Sequence, residues 1–162
     1  MDITNVKKLI ELCCDDNFKK NYIQNNTTLK KNKWLVLSDF IEFYYLRDFI
    51  NNDIKKINTN YQCSSFINLL VYEVGDYFNP HTDAQYSIYD DKHPTVLSGG
   101  YLLNDEFEGG DFLIEGIPLN AKIGELFTFS RNIVHEITPV TKGMRYSLHF
   151  AVDTNETITT LI

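Results

Sequence analysis

Residues 64–83 read SSFINLLVYEVGDYFNPHTD, and their pattern sets the reading of the whole chain. Two runs rich in apolar, β-branched and aromatic side chains are separated by Glu73-Val74-Gly75-Asp76, a turn composition in which Gly75 supplies conformational freedom. The runs are too short for helices and predict strands at 64–73 and 77–83. The same rhythm continues downstream and predicts further strands at 95–103, 110–114, 125–129, 135–139 and 145–152. Gly109-Gly110, after Asn104-Asp105, supplies the positive φ values of a tight reversal between strands. Short strands with tight turns at this spacing favour a closed double sheet.

Working back toward the N-terminus, the architecture changes. All eight glycines and all four prolines lie beyond Tyr72. Before it, Ile3, Val6, Leu9 or Ile10, and Cys13 recur at helical spacing, and a second such stretch runs from Phe40 through Phe43 or Tyr44, Arg47 and Ile50 to Ile54 and Ile57. Asp39 with Glu42 three residues on has the form of a capping box for this second helix. The expected fold class is therefore α+β and mainly β: a double-stranded β-helix, or jelly-roll, core with N-terminal helices packed on one sheet. A chain of 162 residues suits one domain. We expect residues 1–62 to be its helical support and residues 63–153 its jelly-roll core.

Composition narrows the function classes. No apolar run approaches the roughly 18–20 residues of a membrane span, and Met1 to Leu12 lacks the unbroken apolar segment of a signal peptide. The expected address is intracellular, in the cytoplasm, with no membrane partner. The three cysteines, Cys13, Cys14 and Cys63, form a poor disulfide framework and read as packed thiols. Net charge is −7, unevenly spread: residues 1–62 carry ten Lys/Arg against eight Asp/Glu, and residues 63–162 five against fourteen. An acidic C-terminal part is a poor match for a phosphate backbone, so no nucleic-acid partner is expected.

Chemistry concentrates at a few positions. In a strand, side chains two apart project to one face, so His81 and Asp83 should converge. A second histidine, His135, opens a later strand. Two imidazoles and one carboxylate with open positions beside them suit redox-active Fe(II), whereas structural zinc favours four closed ligands, usually including thiolates. In the run 142–150, alternation puts Arg145, Ser147 and His149 on one face and Tyr146, Leu148 and Phe150 on the other. An arginine pointing into a barrel must be paired. A dicarboxylate ligand would pair it bidentately, and a structural ion pair is the alternative. His149 shares that face, either toward the pocket or as a hydrogen-bonded core histidine. His93 reads as a solvent-exposed loop residue.

From about Ser64 to Val152 the chain resembles the 2-oxoglutarate/Fe(II) oxygenases of the prolyl and lysyl hydroxylase type. Local patterns match in order: Tyr72-x-x-Gly75-x-Tyr77-x-x-x-His81-x-Asp83, then Leu102-Leu103-Asn104-Asp105-x-x-x-Gly109-Gly110-Asp111-Phe112, then Gly124-Glu125-x-Phe127-x-Phe129, then His135-Glu136-x-x-Pro139-Val140-x-x-Gly143-x-Arg145. The resemblance implies that His81, Asp83 and His135 are the metal ligands. It further implies that Arg145 anchors the 5-carboxylate of 2-oxoglutarate and that Tyr72 lines the co-substrate pocket. Collagen and algal prolyl 4-hydroxylases usually carry lysine where this chain has Arg145. Where some relatives place a second tyrosine, this chain has Leu102, with Tyr101 one residue off the inward register.

The activity so implied is an Fe(II)- and 2-oxoglutarate-dependent dioxygenase that uses O2, with ascorbate as reductant, and releases succinate and CO2. The favoured substrate is a prolyl, less so a lysyl, side chain of a protein or peptide. Residues 84–95, with Tyr86 and Tyr89, are the candidate lid or peptide-gripping loop. The alternatives are an oxidative nucleic-acid demethylase and a catalytically silent ligand-binding jelly roll.

Overall fold

The computed structural model describes residues 3–86 and 95–155. Most of the predicted loop 84–95, including Tyr89 and His93, lies outside them. Among the described residues, no helix is long and apolar enough to cross a membrane.

The described elements are α1 (Ile3–Cys14), α2 (Asp16–Lys19), β1 (Ile23–Asn26), β2 (Lys30–Val36), α3 (Tyr44–Ile54), β3 (Tyr61–Tyr72), β4 (Tyr77–His81), β5 (Thr95–Leu102), β6 (Phe107–Gly109), β7 (Phe112–Ile114), β8 (Ile117–Pro118), β9 (Leu126–Ser130), β10 (His135–Ile137), β11 (Val140–Gly143) and β12 (Arg145–Thr154). One large antiparallel sheet runs β8-β7-β10-β4-β2-β3-β12-β5-β9, with β1 beside β2, and β6 and β11 form a separate ribbon. The large sheet curls into a half-barrel of jelly-roll type, as the strand pattern predicts.

Alternation assigns the two faces. Leu35, Leu69, Leu148 and Tyr101 face each other in register across β2, β3, β12 and β5. With Ile67, Val71, Phe150 and Val152 they pack under Val6 and Leu9 of α1 and Leu46, Ile50 and Ile54 of α3. The opposite face of the same strands carries Trp34, Asn68, Arg145, Ser147 and His149, and it lines the cavity. A register slip of one residue would exchange the two sets, so burial of the apolar set fixes the polar set inward.

The N-terminal part departs from the helical reading. Residues 23–36 form β1 and β2, and β2 lies in the middle of the sheet, pairing with both β3 and β4. In Lys30-Lys31-Asn32-Lys33-Trp34-Leu35-Val36 the inward row is Asn32 and Trp34. The predicted helix 40–57 is shorter, and Asp39 and Glu42 form no capping box. Asp39 ends a 3-10 turn (Leu37–Asp39), Phe40 is extended, residues Ile41–Phe43 make a second 3-10 turn, and α3 then starts without a side-chain cap. Aromatic packing selects that path, since Phe18, Phe40 and Phe43 meet edge-on at 5.4–6.4 Å and Phe43 is buried.

Gly109 and Gly110 have positive φ, 69° and 64°. They carry the chain from the β6/β11 ribbon into β7 and do not join two strands of one hairpin. A Cβ on Gly109 would lie 2.3 Å from the Pro139 carbonyl oxygen, and one on Gly110 would lie 3.1 Å from Cδ of Arg145. Gly110 thus leaves room for the arginine. Cys14 and Cys63 are free thiols, and burial pushes the Cys63 thiol up to about 12.

Candidate metal centre and co-substrate pocket

His81 ends β4 and His135 opens β10, and the two residues are direct partners across that antiparallel pair. Their rings lie 4.2 Å apart between centroids. Each ring is turned by its own backbone: Nδ1 of His81 lies 2.7 Å from the Asn79 carbonyl oxygen and Nδ1 of His135 lies 3.0 Å from that of Ile133. A carbonyl can only accept, so both Nδ1 atoms carry the proton and both Nε2 atoms present lone pairs to the cavity. Phe78 stacks on His81 at 3.5 Å, and Phe129 meets His135 edge-on at 4.6 Å.

Asp83 reaches the same point by another route. It does not extend β4 but opens a 3-10 turn (Asp83–Tyr86), so the period-2 argument does not place it. Arg131, in the turn after β9, places it instead. Nη2 of Arg131 donates to the Asp83 carbonyl oxygen at 2.8 Å, and the Ala84 amide donates to the Arg131 carbonyl at 3.1 Å. Oδ1 of Asp83 then lies 3.8 Å from Nε2 of His81 and 3.5 Å from Nε2 of His135. One ligand atom from each residue falls within 4.8 Å of the others, close enough for a single cation to be shared.

Burial governs the electrostatics. It depresses His81 to about 4 from an ordinary value of 6.5, outweighing the hydrogen bond to Asn79. Burial alone would push Asp83 up, but the adjoining imidazoles of His135 and His149 and the hydroxyl of Ser98 hold it well below the usual carboxylate range. At neutral pH the set is therefore a neutral His81 imidazole beside an ionised carboxylate, the protonation states that bind a divalent ion. An acid-stability prediction follows. Because the folded pKa of His81 lies below the unfolded one, the unfolded chain binds the proton first. The metal-free protein should therefore lose stability as pH falls from about 6.5 to about 4. Denaturant midpoints across that window check this. The slope should flatten in His81→Asn, and an equal slope in that variant would remove the attribution.

Arg145 lines the same cavity. It is 4% exposed, and Nη1 donates to Ser147 Oγ at 2.7 Å. Among the described residues Nε has no hydrogen-bond partner, and neither does the buried hydroxyl of Tyr72. The Tyr72 ring centroid lies 5.6 Å from the guanidinium carbon. Burial lowers the pKa of Arg145 and pushes that of Tyr72 up to about 12. Among the described residues no carboxylate lies within ion-pair distance of Arg145. A buried cation and a buried hydroxyl with unmet hydrogen-bonding capacity on one cavity wall fit the far carboxylate of a small dianion.

The cavity has a volume of about 690 Å³, the size of a small-molecule site. His81, Asp83, His135, Arg145 and Tyr72 all line it. The structure adds residues that the sequence reading did not single out. Ser98 donates to Oδ2 of Asp83, Arg131 holds its carbonyl, and Asn32 and Trp34 line the wall from a strand inside the segment expected to be helical support. The inward alternation of Asn32 and Trp34 was the available signal. Arg131 carried none, because its role depends on a turn. Tyr101 points away from the cavity, into the helix-covered core, and donates to Oδ2 of Asp53 at 2.8 Å.

An imidazole pair and a carboxylate gathered on the inner face of a jelly roll, in one cavity with a buried arginine, are a donor set that could hold one metal ion beside a small dianion. The chain belongs to the 2OG-Fe(II) oxygenase superfamily, whose family model matches residues 67–152, and is accordingly a 2-oxoglutarate-dependent dioxygenase. Membership implies Fe(II), 2-oxoglutarate and O2. Among solved structures, a Pseudomonas putida prolyl-4-hydroxylase is similar at 16% identity, with 96% of this chain and 89% of that one covered and a TM-score of 0.72. A prolyl hydroxylase from Trichoplax adhaerens, in complex with a hypoxia inducible factor oxygen degradation domain peptide fragment, gives 15%, 94%, 76% and 0.66 respectively. The non-heme alpha ketoglutarate dependent epimerase SnoN from nogalamycin biosynthesis gives 11%, 94%, 74% and 0.71. No curated protein matches the sequence significantly.

Proposed function

We propose that the protein hydroxylates a prolyl side chain of a protein or peptide, with a lysyl side chain as the second choice of target, releasing succinate and CO2. The carrying observation is the shared cavity: Nε2 of His81, Nε2 of His135 and Oδ1 of Asp83 converge in it, and the under-satisfied Arg145 and Tyr72 line it too. In this reading His81, Asp83 and His135 hold Fe(II), Arg145 binds the 5-carboxylate of 2-oxoglutarate, and Tyr72 walls the co-substrate. The bound metal supplies the redox chemistry that couples oxidative decarboxylation of 2-oxoglutarate to hydroxylation of a C–H bond.

The protein's own part is placement. Asn79 and Ile133 fix the imidazole tautomers, Arg131 fixes the turn that bears Asp83, and Phe78, Phe112 and Phe129 shield the histidines from water. Similarity to prolyl hydroxylases, one of them with a bound peptide, supports a peptidyl substrate. The same likeness to an epimerase shows that this fold hosts other reactions. Lys30 and Arg47 bring positive charge from the N-terminal part to the cavity wall, so the rival nucleic-acid demethylase merits its own assay arm.

The test is mass spectrometry of proline-rich and lysine-containing peptides after incubation with the enzyme, Fe(II), ascorbate and 2-oxoglutarate, with a methylated oligonucleotide in parallel. The expected result is one added oxygen on a mapped proline. Demethylation of the oligonucleotide, with peptides untouched, overturns the proposal.

A further inference from the structure

Asp83 has two carboxylate oxygens, and the structure treats them differently. Oδ1 faces the two histidine Nε2 atoms. Oδ2 is turned to the sheet, where Ser98 Oγ donates to it and His149 Nε2 lies 3.3 Å away. We infer that His149 is a positioning residue which, together with Ser98, engages the outer oxygen of Asp83 and leaves the inner oxygen alone to ligate a metal. The inference rests on the reading of Asp83 as a metal ligand.

The sheet register builds this arrangement. His149 on β12 pairs with Gly100 on β5, and Ala151 pairs with Ser98. His149 and Ser98 are therefore diagonal neighbours on one face, within reach of a common target. Gly100 must be small, since a Cβ there would lie 2.6 Å from the Leu148 carbonyl oxygen and 2.7 Å from the Phe127 ring. Phe127 occupies the space that a side chain on Gly100 would take. The two donors differ in setting: Ser98 is fully buried, whereas the His149 side chain is 32% exposed.

Two donors on one oxygen do what the backbone cannot. The Arg131 contact and the Ala84 amide fix where Asp83 starts but leave its side-chain torsions free. A carboxylate beside a divalent cation can bind through one oxygen or both, and rotation about its last torsion interchanges them. A carboxylate can only accept hydrogen bonds, so the neutral Nε2–H tautomer of His149 suffices. Ligation through one oxygen would leave open positions beside the His81, His135 and Asp83 atoms where a chelating 2-oxo acid and O2 could bind. Ligation through both would remove one of them.

The experiment titrates the metal-free full-length protein with Co(II), reading affinity and the visible d–d spectrum, which responds to coordination number. His149→Ala should weaken Co(II) binding by roughly 10–100-fold, as loss of an outer-shell partner does, and alter the spectrum. His149→Gln, which restores an N–H donor, should recover most of the loss. Ser98→Ala should shift affinity and spectrum in the same direction, and it keeps the test decisive if His149→Ala does not fold. Unchanged affinity and spectrum in both alanine variants, or a glutamine variant no better than alanine, overturns the inference. So does a His149→Ala variant whose sole defect is a raised KM for peptide, which would assign His149 to the substrate wall. If the wild type itself takes up no Co(II), or His81→Ala binds it equally well, the metal-site reading fails first and is recognised separately.

Discussion

Replacing His81, Asp83 or His135 singly with alanine is expected to abolish 2-oxoglutarate turnover and most metal uptake while leaving the fold in place. Each residue contributes one atom to a cluster whose members lie within 4.8 Å, so removing one leaves two ligands and no defined face. Loss of an outer-shell partner alone costs roughly 10–100-fold in metal affinity or activity, and loss of a direct ligand should exceed that range. The fold should survive because the three side chains lie on the cavity side of the sheet, away from the apolar cluster under the helices. Anaerobic Fe(II) titration, succinate formation and far-UV circular dichroism on the three variants check this. A variant that binds metal and forms succinate at near-wild-type levels would falsify the ligand assignment.

Arg145→Ala should weaken 2-oxoglutarate binding to the Fe(II)-loaded protein by about 2–4 kcal/mol, roughly 30- to 900-fold, within the range for truncating one partner of a buried charge pair. Arg145→Lys keeps the charge but loses the planar fork, so its cost should be smaller. The effect should be confined to the co-substrate. Arg145 stands with Ser147 and Tyr72, outside the ligand set, so metal affinity without 2-oxoglutarate should hardly change. Titration of 2-oxoglutarate against wild type and both variants decides the matter. If Arg145→Ala binds it as tightly as wild type, the anchor lies elsewhere.

The sequence by itself determined the β-rich core and the inward row Arg145, Ser147 and His149. The reason is that strand periodicity is local. A side chain's face follows from its parity, and parity can be read without knowing the partner strand. Glycines at the β6-to-β7 junction were legible because positive φ is also a local demand. Tertiary structure decided the rest. Residues 30–36 carry lysines and an asparagine that mask their strand character, and only burial of Leu35 against Leu69 makes β2 the bridge between β3 and β4. The predicted cap at Asp39 and Glu42 lost to packing of Phe40 and Phe43 against Phe18, which is distant from both in sequence. Asp83 converges on the histidines because Arg131 holds its turn, and its two oxygens differ because β12 and β5 pair in a register that sets His149 beside Ser98. No local pattern encodes a contact across 48 or 66 residues of chain. Such contacts come into being when burial of the opposite face locks the strands together.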